Sequence, residues 1–216
     1  MDNFKFVDME TWERAEFYKL FTGPWHSIYG NMMKKLEVTE LVTVCKEKGV
    51  KFAAAVAYCV SNVINSHECF RMGIKDKQPI VWDVVHPTMP VRNRGTGYSY
   101  HTVRYEKDFK AFYENYLNDK KQYPDTVGKI FAGELPENFF QLSIIPLIDF
   151  DDNSLSIGFK YYFAPMVVIG KYAGDGKKLM PVAITGNHAV VDGYDVANFL
   201  NELQQMFSSP WEWLKL

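Results

Sequence analysis

The chain contains 216 residues, of which 47% are hydrophobic and 23% are charged, and its formal net charge is -2 at pH 7. This composition is that of a globular protein and excludes an intrinsically disordered chain. The weakly negative charge argues against nucleic acid as a partner, since a nucleic-acid binder needs a basic face. The length suits one substantial hydrophobic core, and we expect a single domain over residues 1–216.

The apolar runs and the cysteines exclude further classes. No apolar run approaches the length that a transmembrane helix needs. The N-terminal residues lack the basic and then apolar order of a secretory signal, so we expect a cytoplasmic protein that does not associate with membranes. The three cysteines, Cys45, Cys59 and Cys69, cannot all pair within the chain and have no C-x-x-C spacing. We therefore expect buried free thiols and no metal site.

The N-terminal part of the chain predicts two helices separated by a strand. An acidic start at Asp8 and apolar residues at i, i+4 spacing predict a first helix over 9–21. Residues 26–38 alternate loosely between apolar and polar and predict a strand. Thr39 is a candidate N-cap for a short helix over 39–48.

The next segment combines the most apolar helix pattern with a hairpin. Residues 51–66 leave little polar face, so we expect this helix to pack under the sheet and to be buried on more than one side. Strands over 71–75 and 79–85 flank a polar turn and predict a hairpin. Two further strands are predicted over 88–92 and 97–105.

The C-terminal half predicts a helix, a group of strands and a last helix. The first helix covers 108–121 and has an apolar stripe, and the last covers 192–207 after a turn signal. Four strands are predicted between them, over 139–150, 155–162, 165–172 and 178–189. The elements together predict an α/β (α+β) two-layer sandwich, in which helices pack on one face of a mixed, mainly antiparallel sheet.

One histidine stands at the end of an apolar strand, where a turn leads into the last helix. His188 precedes Asp192 by four residues, and Asp192 is a candidate helix N-cap. A neutral imidazole accepts a proton near pH 7 and can return it later, so His188 is the best candidate for a general base. A core histidine beside a helix cap explains this spacing equally well. Zinc binding is disfavoured because no further Cys or His ligands lie nearby.

Several separated blocks, all in the same order, resemble the chloramphenicol acetyltransferase family over nearly the whole chain. The segment 187–193, Asn-His-Ala-Val-Val-Asp-Gly, resembles the H-H-A-V-x-D-G signature of these enzymes. The histidine motif alone also occurs in dihydrolipoyl acyltransferases, so the ordered set of blocks is more specific. The other matching blocks lie at 12–14, 70–76, 80–83, 162–165 and 171–172.

The resemblance implies an assembly and a set of functional residues. It implies a homotrimer with each active site at a subunit interface, where acetyl-CoA and a small acceptor alcohol enter from opposite ends of a tunnel. His188 would act as the base, Ser143 would stabilise the oxyanion, and Asp192 would pair with Arg14. From the residues alone, a hydrogen-bonded core serine is the favoured interpretation of Ser143, and a surface ion pair is the alternative for Arg14. The resemblance points to Phe21, Tyr98 and Gln141 for the acceptor, and to Lys171, Tyr172 and Pro146 for coenzyme A.

Four positions depart from the family pattern. Asn187 stands where a second histidine is usual, and Val168 where one branch has a threonine that helps to hold a water. Leu147 replaces a tryptophan in the coenzyme region, and Phe21 replaces a tyrosine in the drug pocket. These changes spare the base and the serine but affect acceptor or coenzyme recognition.

We therefore expect acetyl-CoA-dependent O-acetylation of chloramphenicol, by direct transfer and without a metal. Two alternatives stay open: the same chemistry on another small alcohol or thiol, and a trimer of the same fold that binds a ligand without catalysis.

Overall fold

The structure, a computed structural model, describes residues 3–23, 28–95, 97–124, 126–154 and 162–216. The strands are β1 (Phe4–Phe6), β2 (Tyr29–Glu37), β3 (Met72–Lys75), β4 (Gln78–Trp82), β5 (His86–Arg92), β6 (Tyr98–Thr102), β7 (Phe139–Ile144), β8 (Met166–Ile169) and β9 (Leu179–Asn187). The helices are α1 (Ala15–Phe21), α2 (Thr39–Glu47), α3 (Phe52–Ser66), α4 (Phe109–Gln122), α5 (Gly193–Ser208) and α6 (Pro210–Trp213).

Six of the described strands form the central sheet, in the order β2-β9-β8-β7-β5-β6. The β2–β9, β9–β8 and β5–β6 pairs are antiparallel, whereas the β8–β7 and β7–β5 pairs are parallel. The sheet is thus mixed and mainly antiparallel, as predicted. β2 and β9 pair over their whole lengths, from Tyr29 opposite Asn187 to Glu37 opposite Leu179. This pairing joins an early segment of the chain to a late one.

A second, smaller sheet has the order β1-β4-β3 and is antiparallel. β3 and β4 form the predicted hairpin. Its turn residues Asp76 and Lys77 have φ angles of 50° and 65°, the left-handed conformation that a tight two-residue hairpin turn requires. β1 has only three residues, which is too short for an alternating pattern to reveal it in the sequence.

The core lies between the central sheet and the helices. Ten of the fifteen residues of α3 are buried, which confirms the prediction that this helix is enclosed on more than one side. It packs against α2, α4, α5 and β5. One side of β9 supplies Met180, Val182 and Ile184 to the same core. Cys45 and Cys59 are buried free thiols, as predicted, but Cys69 is only half-buried.

The first helix and the cap of the second differ from the sequence-based expectation. α1 begins at Ala15 rather than near residue 9, because the Asp8 carboxylate accepts hydrogen bonds from the Glu10 N–H and the Thr11 hydroxyl and so stabilises a turn. Thr39 is the first residue of α2, not its N-cap. Its hydroxyl instead accepts a hydrogen bond from the Lys178 N–H.

The strand boundaries in the C-terminal half are also narrower than predicted. β7 ends at Ile144, two residues before Pro146, which has no N–H to donate to a neighbouring strand. The predicted strand over 155–162 lies outside the described residues apart from Tyr162, and so does the start of the strand predicted over 26–38. Within the described ranges, no helix has the length and apolar character needed to cross a bilayer. That residues 1–216 form one domain stays a prediction.

Candidate active site

His188 follows directly on β9 and is fixed there by a backbone hydrogen bond. Its N–H donates to the Ile28 carbonyl across 2.8 Å, which extends the β2–β9 pairing by one more contact. The chain then turns over residues 188–191 and enters α5 at Gly193. Within this turn, Val191 packs closely on β9. A Cβ added at Gly186 would lie only 3.0 Å from Val191 Cγ1. A rigid strand end therefore presents the histidine.

The imidazole of His188 has a defined tautomer. Its Nδ1 lies 3.0 Å from the Val191 carbonyl oxygen. A carbonyl oxygen can only accept, so Nδ1 carries the hydrogen and Nε2 of the neutral ring keeps its lone pair. The Phe21 ring, at the end of α1, lies 4.8 Å from the imidazole between centroids and covers one side of it. This arrangement presents Nε2 as a proton acceptor.

Arg14 joins the two ends of the turn. Its Nη1 donates to Asp192 Oδ2 at 2.7 Å, and its Nη2 donates to the His188 carbonyl at 3.2 Å. The structure thus brings the two residues of the expected ion pair together, half-buried, although their role in the reaction stays a prediction. Burial opposes ionisation of Asp192, but the Asp195 N–H, the Arg14 guanidinium and the Tyr194 N–H outweigh it, and the pKa of Asp192 is lowered.

Asp192 is also the N-cap of α5, as the sequence predicted. Its Oδ1 accepts from the N–H groups of Tyr194 and Asp195, at 2.8 and 3.1 Å. In return, Asp195 Oδ2 accepts the Asp192 N–H at 2.8 Å, which completes a capping box. Asp195 is missing from the sequence-based site, although an acidic residue three positions after an N-cap is a recognisable signal.

Asn187 braces the turn from the strand side. Its buried side chain accepts the Ala189 N–H at 3.0 Å and donates to the Tyr162 carbonyl at 3.2 Å. The first contact is an Asx-turn, in which a side-chain oxygen binds the backbone two residues later. This departure from the family signature therefore has a structural explanation, because the amide supports the loop that carries His188.

Ser143 and Gln141 lie on β7, on one face of the sheet. Ser143 is opposite Val168 of β8, which is opposite Ala183 of β9. Directly paired residues project to the same side of a sheet, and so do residues two apart on one strand. Ser143 and Gln141 thus share a face with Ala183, whereas Val182 points to the helix-covered core.

Within one chain, Ser143 and His188 are far apart. β8 separates β7 from β9, which is roughly 10 Å across the sheet. Ser143 is level with Ala183, and His188 lies five residues further along the chain, which is roughly 16 Å of strand. The two side chains of one copy therefore cannot meet the same reacting atom.

The three residues expected at the coenzyme lie near the other end of these strands. Pro146 follows β7, and Lys171 and Tyr172 follow β8. The Lys171 N–H donates to the Ile148 carbonyl at 2.7 Å, which holds the two loops together. Pro146 and Lys171 are exposed, and the Tyr172 ring meets Phe52 edge-on at 5.3 Å. This end of β7 and β8 is opposite the end that the His188 turn occupies.

The three residues expected at the acceptor are not together in one chain. Phe21 contacts His188, and Gln141 lies on β7 at the end nearer to His188. Tyr98 begins β6, at the far edge of the sheet, where its exposed ring meets Tyr100 edge-on at 5.5 Å. Within the described ranges, no three His, Cys, Asp or Glu side chains come close enough to hold a metal ion.

The sequence matches known proteins over nearly its full length. The pattern of the family described as chloramphenicol acetyltransferase covers residues 2–204. The chloramphenicol acetyltransferase of Proteus mirabilis is 35% identical over 202 residues, which are 92% of each protein. That of Staphylococcus aureus is 31% identical over 216 residues, which are 98% of this chain and 99% of the relative.

Solved structures show the same fold. A chloramphenicol acetyltransferase superposes with a TM-score of 0.84 at 22% identity, over 95% of this chain and all of the other. The cubic core of the pyruvate dehydrogenase multienzyme complex gives 0.67 at 15% identity, over 88% of this chain and 85% of the other. These matches confirm the predicted fold class. The family pattern and the sequence relatives show that this chain belongs to the chloramphenicol acetyltransferase family.

Proposed function

We propose that this protein transfers the acetyl group of acetyl-CoA to a hydroxyl of chloramphenicol, with His188 as the general base. The observation that carries the proposal is the orientation of the His188 ring, whose Nδ1 hydrogen binds the Val191 carbonyl and leaves Nε2 to take a proton. The relatives from P. mirabilis and S. aureus bear the name of this activity, which supports chloramphenicol as the acceptor.

The transfer is direct and needs no covalent enzyme intermediate. Nε2 of His188 removes the hydroxyl proton of the acceptor as its oxygen bonds to the thioester carbonyl carbon. The intermediate collapses, the carbon–sulfur bond breaks, and the leaving thiolate takes the proton from the imidazolium. A well-placed general base contributes a factor of roughly 10² to 10⁴ to such a step.

Ser143 is proposed as the donor to the oxygen that becomes negative in the intermediate. A single oxyanion donor contributes about 10² to 10³ in kcat in acyl-transfer enzymes. The distance between Ser143 and His188 within one chain supports a site shared between two copies. The His188 turn of one copy then faces the Ser143 side of the sheet of another. We infer a homotrimer, the symmetric assembly that the family resemblance implies.

Two groups of residues are proposed to hold the substrates. Pro146, Lys171 and Tyr172 line the coenzyme side, where the exposed Lys171 ammonium suits a phosphate group of acetyl-CoA. Phe21, Tyr98 and Gln141 line the acceptor side, and because Phe21 and Tyr98 are distant within one chain, this pocket also needs two copies. We infer a cytoplasmic location, which suits an enzyme that draws on cytoplasmic acetyl-CoA.

The contact between Phe21 and His188 favours a second candidate acceptor. A phenylalanine beside the base gives no hydrogen bond to a bound hydroxyl, and a site that lacks such a bond discriminates less between acceptors. A different small alcohol or a thiol is therefore the alternative. Turnover of such an acceptor at higher kcat/KM than chloramphenicol would favour it, and binding without any turnover would favour the non-catalytic trimer.

The test measures thiol released from acetyl-CoA with and without chloramphenicol. The wild type should release thiol only with the drug, and His188→Ala should be slower by about 10² to 10⁴. His67→Ala is the matched control, because His67 binds Glu202 and has no place in the proposed site. Wild-type release at the level of His188→Ala would overturn the proposal.

A further inference from the structure

The peptide group between Val191 and Asp192 makes two hydrogen bonds of opposite kind. Its carbonyl accepts the Nδ1 hydrogen of His188 at 3.0 Å, and its N–H donates to Asp195 Oδ2 at 2.8 Å. The C=O and the N–H belong to one planar trans unit and point in opposite directions. Rotation of this plane therefore moves both contacts together, so the carboxylate of Asp195 and the ring of His188 are linked through a single rigid unit.

The side chain of Asp192 does not fix this plane by itself. Its Oδ1 is used by the N–H groups of Tyr194 and Asp195, and its Oδ2 by Arg14. Arg14 in turn binds the His188 carbonyl, which orients the backbone before the turn. The N–H of Asp192 donates to the Asp195 carboxylate. Asp195 therefore holds the Val191–Asp192 peptide, whose carbonyl contacts the imidazole.

Asp195 also has a neighbour outside α5. The half-buried Cys69, in the short helical turn Glu68–Arg71 before β3, lies beside its carboxylate. Burial and then this carboxylate raise the pKa of the Cys69 thiol to about 12, so the thiol stays protonated at neutral pH and places no second negative charge beside Asp195. The carboxylate therefore has neighbours on two sides, the Asp192 N–H and the Cys69 thiol.

We propose that Asp195 is a positioning residue for His188, which acts through the Val191–Asp192 peptide by holding its N–H. This inference rests on the proposed role of His188 as the base. Asp195 touches neither substrate in the proposed mechanism. It sets the direction in which the Val191 carbonyl points, and thereby the direction of the Nε2 lone pair.

The experiment compares three variants. Asp195→Ala removes the acceptor and should lower kcat by about 10-fold to 100-fold, the size of effect expected for a misplaced catalytic group, with little change in either KM. Asp195→Asn keeps a carbonyl oxygen for the Asp192 N–H and should stay within about 3-fold of wild type. Asp108→Ala is the matched control, because Asp108 caps α4 through the Ala111 N–H and has no part in the proposed site.

Three results would overturn the proposal: a kcat for Asp195→Ala no lower than that of Asp108→Ala, an Asp195→Asn variant as slow as Asp195→Ala, or an unmoved His188 ring. The last is measured without turnover, by the Nδ1 to Val191 oxygen distance in a crystal structure of Asp195→Ala, which should exceed 3.0 Å. Failure of the proposed function would be a separate result, since the wild-type protein would then be inactive. The distance from His188 Nδ1 to the Val191 oxygen would still test the role of Asp195.

Discussion

The two nitrogens of the His188 ring are not equivalent, because a backbone carbonyl fixes which of them carries the hydrogen. Nδ1 is occupied by the Val191 carbonyl, so only Nε2 is left to take a proton. This differs from sites in which an acidic side chain binds the second nitrogen directly. Here the nearby carboxylates, Asp192 and Asp195, act one step further away, on the turn itself.

The Asp192 carboxylate gives a pH-dependent contribution to stability. The pKa of Asp192 is lower in the folded protein than in the unfolded chain. Its contribution to stability is therefore complete above the unfolded-state pKa, about 3.9, and is lost as the pH falls through the lower folded-state pKa. We expect wild type to be more stable than Asp192→Asn at neutral pH, with a difference that shrinks below about pH 4. Urea unfolding of both proteins across this range measures it. A difference that does not depend on pH would contradict the prediction.

Asn187 allows a second prediction for a single residue. Asn187→Ala leaves the Ala189 N–H without its side-chain acceptor, whereas the Tyr162 carbonyl loses the Asn187 amide but keeps the Tyr29 hydroxyl at 3.0 Å. An unpaired buried group costs about 1 to 3 kcal/mol, so the midpoint of urea unfolding should fall. Asn118→Ala is the control, since Asn118 is exposed on α4. Equal stability of the two variants would show that the Asn187 amide does not brace the turn.

At the level of elements, the close contact between β9 and the turn predicts the effect of one added methyl group. Gly186→Ala places a Cβ 3.0 Å from Val191 Cγ1, so Val191 must shift, and its carbonyl shifts with it. We expect kcat to fall by about 10-fold. Gly30 is directly opposite on β2, and a Cβ there meets nothing within 4 Å. Gly30→Ala should therefore keep its activity, and similar kcat values for both variants would refute the mechanism.

Lys35 of β2 predicts an effect on coenzyme binding. It forms ion pairs with Asp149 and Asp151, at 3.2 and 2.7 Å, and so holds the loop that begins with Pro146. We expect Lys35→Ala to raise the KM for acetyl-CoA several-fold while the KM for the acceptor stays the same. The measurement is steady-state kinetics with each substrate varied. Lys75→Ala, which breaks an exposed pair with Glu137, is the control, and equal KM values in both would contradict the prediction.

The sequence predicts the long elements better than the turns. α3, α4 and α5 have sustained helical periodicity, and their bounds differ from the predictions by at most one residue. α1 starts later than predicted because the Asp8 side chain binds a backbone N–H and stabilises a turn instead of a helix. The spacing of apolar residues gives no information about such a side-chain hydrogen bond. The same limit applies to the site: His188, Asp192 and Arg14 could be selected from a motif, whereas the role of the Val191 carbonyl depends on turn geometry.

At the scale of the whole molecule, the separation of Ser143 from His188 predicts complementation between two impaired variants. Ser143→Ala keeps the base and His188→Ala keeps the serine, so a site built from one chain of each kind has both groups. In an equal mixture refolded together, about a quarter of the interfaces are of this kind. Thiol release should recover to about that fraction of wild type. Each variant refolded alone is the control, and no recovery in the mixture would place both groups on one chain.

The Arg14–Asp192 contact joins residues that are 178 positions apart. β2 likewise pairs with β9, a strand that follows much later in the chain. On the ribosome, β2 emerges long before its neighbour in the sheet exists, and the apolar faces of α2 and α3 lack their cover until α5 is made. Contacts of such long range slow folding and leave apolar surface exposed during synthesis. We therefore expect nascent chains to depend on chaperones, and the proposed active site to form only after β9 and α5 have left the ribosome.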